Sequence, residues 1–137
     1  MFVYRTQDWS ENVEIQFCSS LGRKLVAMRA FQRGEIICDY HGRYLKVPKQ
    51  GGNYLMTIEN SSEFKEIDSE DGCPCHGKTV GELAGAMINY SPRDSRRANA
   101  YTSSLTIYYE MKPLDIIVFR AKKNIRRDFT SPTTISH

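Results

Sequence analysis

Short runs of β-branched, aromatic and aliphatic residues recur along this chain, and glycine, proline or asparagine turn signals separate them. Such runs predict strands, because branched and aromatic side chains pack well on a pleated surface. Many short strands with little helix indicate a mainly β domain built from several small antiparallel sheets. The predicted strands cover residues 13–17, 24–29, 36–40, 54–59, 64–67, 104–111 and 116–121, with a turn at Pro113, Leu114 and Asp115.

Only residues 80–88 have convincing helical character. Their apolar side chains recur at the spacing of one helix face. Gly81 and Gly85 lie within the segment, and glycine weakens a helix interior. We therefore predict one short or irregular helix in an otherwise β domain.

Length and composition set broad bounds on the class of protein. A chain of 137 residues is typical of one domain, and a net charge of +3 tolerates an acidic partner without requiring one. No apolar run approaches the roughly 20 residues of a membrane span, and the first residues lack the apolar stretch of a secretory signal. We expect a protein of a reducing, intracellular compartment with no membrane partner.

Four cysteines raise the question of a metal site. Cys18 and Cys38 lie in apolar strand-like runs and are expected to be buried small hydrophobes. Cys73, Cys75 and His76 offer three soft zinc ligands, but the spacing is unusual and the chain has no second dense cluster to complete a site. We predict a surface-loop insertion over residues 68–78 without a metal, and a zinc-binding interaction domain is the alternative.

Two motifs carry the chemical interpretation. Residues 34–42 read Gly-Glu-Ile-Ile-Cys-Asp-Tyr-His-Gly, and residues 85–91 read Gly-Ala-Met-Ile-Asn-Tyr-Ser with Asn99 and Ala100 downstream. Together with a glycine turn at Gly22, they resemble the SET domain of protein-lysine methyltransferases in order and spacing. Further matching elements are residues 22–31, 54–58, Asp68 and 116–125, and the Asp39-Tyr40-His41-Gly42 tetrapeptide is similar to the small histone H4-type enzymes.

The resemblance implies an S-adenosylmethionine-dependent protein-lysine N-methyltransferase that acts on a histone tail or another basic peptide in the nucleus, or otherwise in the cytoplasm. It also implies roles for particular residues, because the cofactor carries the reactive methyl group and the protein supplies position and electrostatics. Tyr54 would be the catalytic residue that lines the lysine channel. Residues implied to bind the cofactor are Gly22, Arg23, Lys24, Asn89 and Tyr90.

Each of these residues also has an ordinary structural interpretation. Asn89 suits the end of a helix, since asparagine is accepted in the left-handed region. Tyr54 suits a half-buried strand. The assignment of function therefore depends on the pattern as a whole.

The chain departs from the family pattern at two places. Lys24 replaces a glycine of the opening turn and would be strained if the backbone there needs a positive φ. No tyrosine follows Tyr109, whereas the family carries its principal catalytic tyrosine in a C-terminal segment. Phe129 is the candidate for that ring position. A catalytically inactive SET-like module that binds a peptide or protein partner is therefore the alternative function.

The resemblance also suggests a division of the chain. We predict an N-terminal flank over residues 1–21, a SET-like domain over 22–125 and a disordered tail over 126–137, because the tail is rich in serine and threonine. A basic run near the end of the domain favours either a solvated face or a weak nucleic-acid or nucleosome contact. That run contains Arg120, Lys122, Lys123, Arg126 and Arg127.

Overall fold

The described residues form three small antiparallel sheets. The structure, a computed structural model, describes residues 8–19, 22–59, 61, 63–73, 77–88 and 98–137. Each sheet has three strands, and their orders are β1-β2-β9, β3-β8-β7 and β4-β6-β5. The mainly β fold that the sequence predicts is confirmed. The strands are β1 (Val13–Cys18), β2 (Gly22–Ala27), β3 (Ile36–Tyr40), β4 (Arg43–Leu45), β5 (Leu55–Thr57), β6 (Glu66–Asp68), β7 (Ala100–Tyr109), β8 (Lys112–Ala121) and β9 (Thr134–Ile135).

One main apolar core joins residues from all three sheets. Leu25 of β2, Ile67 of β6 and Phe119 of β8 are completely buried in it. The opposite face of β8 carries Ile116 and Val118, which pack in a second, smaller cluster. Both faces of the middle of β8 are covered, and residues 116–119 there are continuously apolar and buried.

The hairpin turn between β7 and β8 lies earlier than the sequence suggests. Glu110 and Met111 have positive φ angles of 51° and 66°, and they connect the Tyr109–Lys112 pair. This is the backbone of a two-residue hairpin loop whose twist matches the strands. The prediction of a turn at Pro113 is wrong, because this proline pairs with Tyr108 in a part of β8 that β3 does not reach.

The predicted helix over residues 80–88 is two separate single turns. Each is a three-residue 3₁₀ helix, Val80–Glu82 and Gly85–Met87, and Leu83 between them is extended with φ −91° and ψ 118°. Thr79 and Glu82 form a capping box at the first turn. None of the helices in the described ranges has the length and apolarity to cross a bilayer.

The tail predicted to be disordered ends in a strand. β9 pairs with β2 through Leu25–Ile135 and Val26–Thr134, and Ile135 is completely buried. The prediction of disorder is wrong for this part, because one apolar residue and a set of backbone hydrogen bonds suffice to order a two-residue strand at a sheet edge. At the other end, β1 of the predicted flank pairs with β2 along its whole length.

The predicted surface insertion begins inside the protein. Asp68, Ser69 and Cys73 are 3%, 0% and 2% exposed. Gly72 has a φ of 75°, and a Cβ there would lie 2.0 Å from the Lys78 carbonyl oxygen, so the chain turns back tightly on itself. Residues 70, 71, 77 and 78 are exposed as predicted.

Candidate active site

A cleft of about 760 Å³ opens between the beginning of β2, the end of β3, the entry to β5 and the two 3₁₀ turns. These elements are far apart in sequence, and the C-terminal His137 also reaches the cleft. Residues that line it are Arg23, Tyr40, Asn53, Tyr54, Leu55, Met56, Thr79, Val80, Gly81, Gly85, Ala86, Met87, Ile88 and His137.

Arg23, at the beginning of β2, lines one side of the cleft, and the predicted cofactor residue Gly22 beside it is not among the lining residues. Gly22 has a φ of 78°, a conformation that suits glycine at the beginning of β2. Arg23 follows at the mouth, and its Nη1 donates a hydrogen bond to the Gly81 carbonyl at 2.8 Å. This bond ties β2 to the first 3₁₀ turn across 58 residues of sequence.

Lys24 has a different place from the one predicted. It pairs with Gln16 within the β1–β2 ladder and is not among the residues that line the cleft. In the described ranges the non-glycine residues with positive φ are Glu110 and Met111, so Lys24 is not strained. The chain tolerates lysine here because the backbone is already extended.

Tyr40 and Tyr54 form the aromatic part of the cleft. The Tyr40 hydroxyl donates a hydrogen bond to the Tyr54 carbonyl at 2.5 Å, which fixes the entry to β5 against the end of β3. Tyr40 is 4% exposed, and burial raises the pKa of its hydroxyl above the ordinary value. Tyr54 is half-buried and lines the cleft, and its role in a lysine channel stays a prediction.

The second 3₁₀ turn packs closely on β3. A Cβ on Gly85 would lie 2.2 Å from the Asp39 carbonyl oxygen, so only glycine permits this approach. Met87 and Ile88 then line the same cleft as Arg23. The first part of the motif, residues 85–88, therefore reaches the same cavity as Arg23, whereas Asn89 and Tyr90 lie outside the described residues.

Strand β3 separates this cleft from a smaller pocket. Successive side chains of a strand point to opposite faces, so Tyr40 lines the large cleft whereas Asp39 and His41 line a pocket of about 290 Å³. Asp39 Oδ1 accepts a hydrogen bond from the Trp9 indole at 3.0 Å, and its Oδ2 lies 3.8 Å from His41 Nδ1. Both polar residues of the Asp39-Tyr40-His41-Gly42 tetrapeptide are thus buried behind the cleft wall.

His137 is a site residue that the sequence analysis missed. Its ring packs against Phe119 with centroids 5.3 Å apart and an interplanar angle of 68°, and the Tyr40 ring lies 6.3 Å from Phe119 on centroids. Phe129, the predicted ring, is instead 79% exposed under the Arg127 guanidinium. The only signal for His137 is the apolar Ile135 two residues earlier, which anchors β9.

The electrostatics of the cleft are simple. Among the described residues that line it, Arg23 carries the only fixed charge, and no carboxylate side chain is present. Burial lowers the pKa of the His137 imidazole below its ordinary value, which favours the neutral ring. The cleft therefore combines one cation at its mouth with a neutral, aromatic wall.

One of the three residues of the alternative zinc site, Cys73, is not available as a ligand. Cys73 is disulfide-bonded, so its sulfur is not a thiolate that could bind zinc. Cys75 and His76 lie outside the described residues, as does the side chain of Cys18. Cys38 is a buried free cysteine, as predicted, and the ranges that the structure describes contain no group of three or more potential metal ligands.

Comparisons with known proteins support the same architecture. No protein-family model and no curated protein matches the chain. Among solved structures, one that matches is the crystal structure of CpSET8 from Cryptosporidium, a SET-domain methyltransferase, with a TM-score of 0.62 and 16% identity. The fold is SET-like. The match covers 91% of this chain and 56% of that chain, so the protein spans little more than half the length of this neighbour.

The SET-like fold explains why the sequence motifs occur in that order. Arg23 of β2, the end of β3, the entry to β5 and the 85–88 turn are separate in sequence, and the fold brings them to one cleft. At 16% identity the match shows the fold alone. The nearer relation to histone H4-type enzymes stays a prediction, as does the division into flank, domain and tail.

Proposed function

We propose that this protein is an S-adenosylmethionine-dependent protein-lysine N-methyltransferase that acts on a histone tail or another basic peptide. The observation that carries the proposal is the shared cleft, in which Arg23, Tyr54 and the 85–88 turn meet within a SET-like fold. An acceptor on histones would place the protein in the nucleus.

The residues of the cleft fit the proposed cofactor. Its volume lies within the range of about 300–1,000 Å³ that is usual for small-molecule sites. Arg23 at the mouth would hold the carboxylate of the amino-acid part, because a guanidinium binds a carboxylate through two hydrogen bonds. Apolar side chains such as Leu55, Met56 and Val80 line the same space and would cover the remainder. S-adenosylmethionine supplies an electrophilic methyl group when it is bound.

The protein's own contribution is to hold the acceptor amine neutral and aligned. Lysine ordinarily has a pKa near 10.4, and only the neutral amine can attack. An aromatic wall that excludes water disfavours the ammonium form, and so does the nearby positive charge of Arg23. Tyr54 and Tyr40 would form that wall, and the hydrogen bond between them keeps its two parts together.

Calorimetry and methyl transfer together test the proposal. Purified protein is expected to bind S-adenosylmethionine and to transfer radiolabelled methyl groups to core histones. Arg23→Ala should weaken cofactor binding about tenfold or more, because it removes a charged hydrogen-bonding partner. Arg33→Ala is the matched control, since Arg33 is exposed and outside the cleft. Asn89→Ala should abolish transfer if this residue has the role that the resemblance implies.

The outcomes separate the two functions considered. Absence of S-adenosylmethionine binding by the wild-type protein would refute the proposed methyltransferase function. Binding of a histone peptide without any methyl transfer would instead identify a SET-like binding module.

We also propose a weak nucleic-acid contact through the basic run. Arg120 is not available to it, because its Nη1 donates a hydrogen bond to the Gly34 carbonyl at 2.9 Å. Lys122, Lys123, Arg126 and Arg127 are exposed. A salt-dependent affinity for duplex DNA that falls when the two lysines are replaced by glutamine would support the contact.

A further inference from the structure

His137 brings an imidazole to the wall of the cleft. The half-buried ring lines the cavity together with Tyr40 and Tyr54, and it packs on Phe119, which is completely buried. Because Phe119 belongs to the central strand β8, the imidazole rests on a completely buried residue of the core. Its position is therefore set by the core and not by a surface loop.

The backbone beside His137 is also fixed. Ile135 pairs with Leu25 in the β2–β9 ladder, and Ser136 is hydrogen-bonded to Asn99. The ring of His137 is held by Phe119, and the backbone before it is held by β2 and Asn99. An imidazole fixed in this way loses little further freedom when it contacts a ligand, which favours a defined hydrogen bond.

We propose that the His137 imidazole accepts a hydrogen bond from the amine of the lysine substrate and orients its lone pair for methyl transfer. The inference rests on the proposed function and adds to it a residue that contacts the substrate. A neutral imidazole has one nitrogen that accepts, and an amine N–H is a matching donor. As the amine gains a methyl group it becomes cationic, so its N–H becomes a stronger donor and the bond stabilises the transition state.

The surroundings keep the imidazole in the accepting form. Burial lowers its pKa below the ordinary value of 6.5. The titratable groups that share the cleft are Arg23 from β2, Tyr40 from β3 and Tyr54 before β5.

The first test is the titration of His137 by NMR in the protein without cofactor. The resonance is assigned by comparison with His137→Gln. n-Butylamine, a mimic of the lysine side chain, is expected to lower the pKa of His137, because a bound ammonium donor favours the neutral ring. n-Butanol is the control, since it has a similar length and no charge. The same pKa with butylamine as with butanol would overturn the proposal.

The second test is the pH profile of methyl transfer. Lysine deprotonation alone gives log(kcat/KM) a slope of one against pH. Below the measured pKa of His137 the wild type should show a slope of two, since the protonated imidazole can no longer accept. His137→Gln, which accepts a hydrogen bond without titrating, should keep a slope of one, and His137→Phe should lower kcat/KM about tenfold or more.

These arms also separate the two proposals. If butylamine lowered the pKa of His137 but the protein transferred no methyl groups, the amine contact would be supported and the methyltransferase function refuted. Methyl transfer with equal slopes in the wild type and His137→Gln would keep the enzyme and refute the role of His137.

Discussion

The Asn99 side chain holds the backbone of Ser136. Asn99 Oδ1 accepts a hydrogen bond from the Ser136 N–H at 3.0 Å, and the Ser136 carbonyl accepts one from the Asn99 N–H at 3.0 Å. Asn99 Nδ2 also donates to the Thr134 carbonyl at 2.9 Å. Asn99 is 5% exposed, so these bonds are shielded from water, and they hold His137 at the cleft.

Replacing Asn99 with alanine should destabilise the protein markedly. The change removes two side-chain hydrogen bonds and leaves a buried N–H and a carbonyl without partners, which costs about 2–4 kcal/mol in the free energy of unfolding. Urea denaturation measures it. Asn124→Ala is the matched control, because Asn124 accepts one exposed hydrogen bond from the Arg33 N–H, and it should cost less than about 1 kcal/mol. Equal losses in the two variants would contradict the role of Asn99.

Replacing Tyr40 with phenylalanine isolates the hydroxyl that joins β3 to the entry of β5. The ring and its packing on Phe119 remain, whereas the hydrogen bond to the Tyr54 carbonyl and the one between the hydroxyl and the Ser69 side chain are lost. We expect a loss of about 0.5–1.5 kcal/mol in the free energy of unfolding and weaker binding of lysine-containing peptide. Unfolding and peptide titration check both effects. Tyr101→Phe, on an exposed ring outside the cleft, should change neither.

The strands could be predicted from the sequence because their cause is local. The run at 36–40 contains two isoleucines and a tyrosine, which favour strand, and it is strand β3 at the predicted bounds. The turn at Glu110 and Met111 could not be predicted, because neither residue has an intrinsic preference for positive φ. The nearby proline gave a stronger but misleading signal.

The cleft was only partly predictable, because much of it depends on long-range packing. Arg23 and Tyr54 were identified through the motif order, and both line the cleft. His137 could not be identified from the sequence, since a histidine after a serine- and threonine-rich tract has no local signature. Its position depends on Ile135 entering the core and on Asn99, which lies 37 residues before Ser136.

Asp68 should make stability depend on acidic pH. Burial alone would raise the pKa of this carboxyl, but the Glu70 N–H at 2.9 Å and the Lys49 ammonium at 3.1 Å lower it overall. Because the folded pKa lies below the unfolded one, the stabilisation is complete above about pH 4 and is lost as pH falls through the folded value. Urea unfolding between pH 2 and 6 should show a steeper acid loss in the wild type than in Asp68→Asn or Lys49→Met. If the free energy of unfolding fell with pH equally in the wild type and the variants, Asp68 would not be the source of the acid dependence.

Gly85→Ala should damage the fold and the cleft together. The new Cβ would lie 2.2 Å from the backbone oxygen of Asp39, which cannot move without shifting β3. We expect a loss of about 1–3 kcal/mol in the free energy of unfolding, from forced overpacking, and weaker cofactor binding. Gly81→Ala is the control, because its Cβ would meet only the Arg23 guanidinium, at 2.8 Å from Nη1, and that flexible group can move aside. It should leave stability within about 1 kcal/mol of the wild type while still weakening cofactor binding. If Gly81→Ala destabilised the protein as strongly as Gly85→Ala, the close approach of the 3₁₀ turn to β3 would not be the cause.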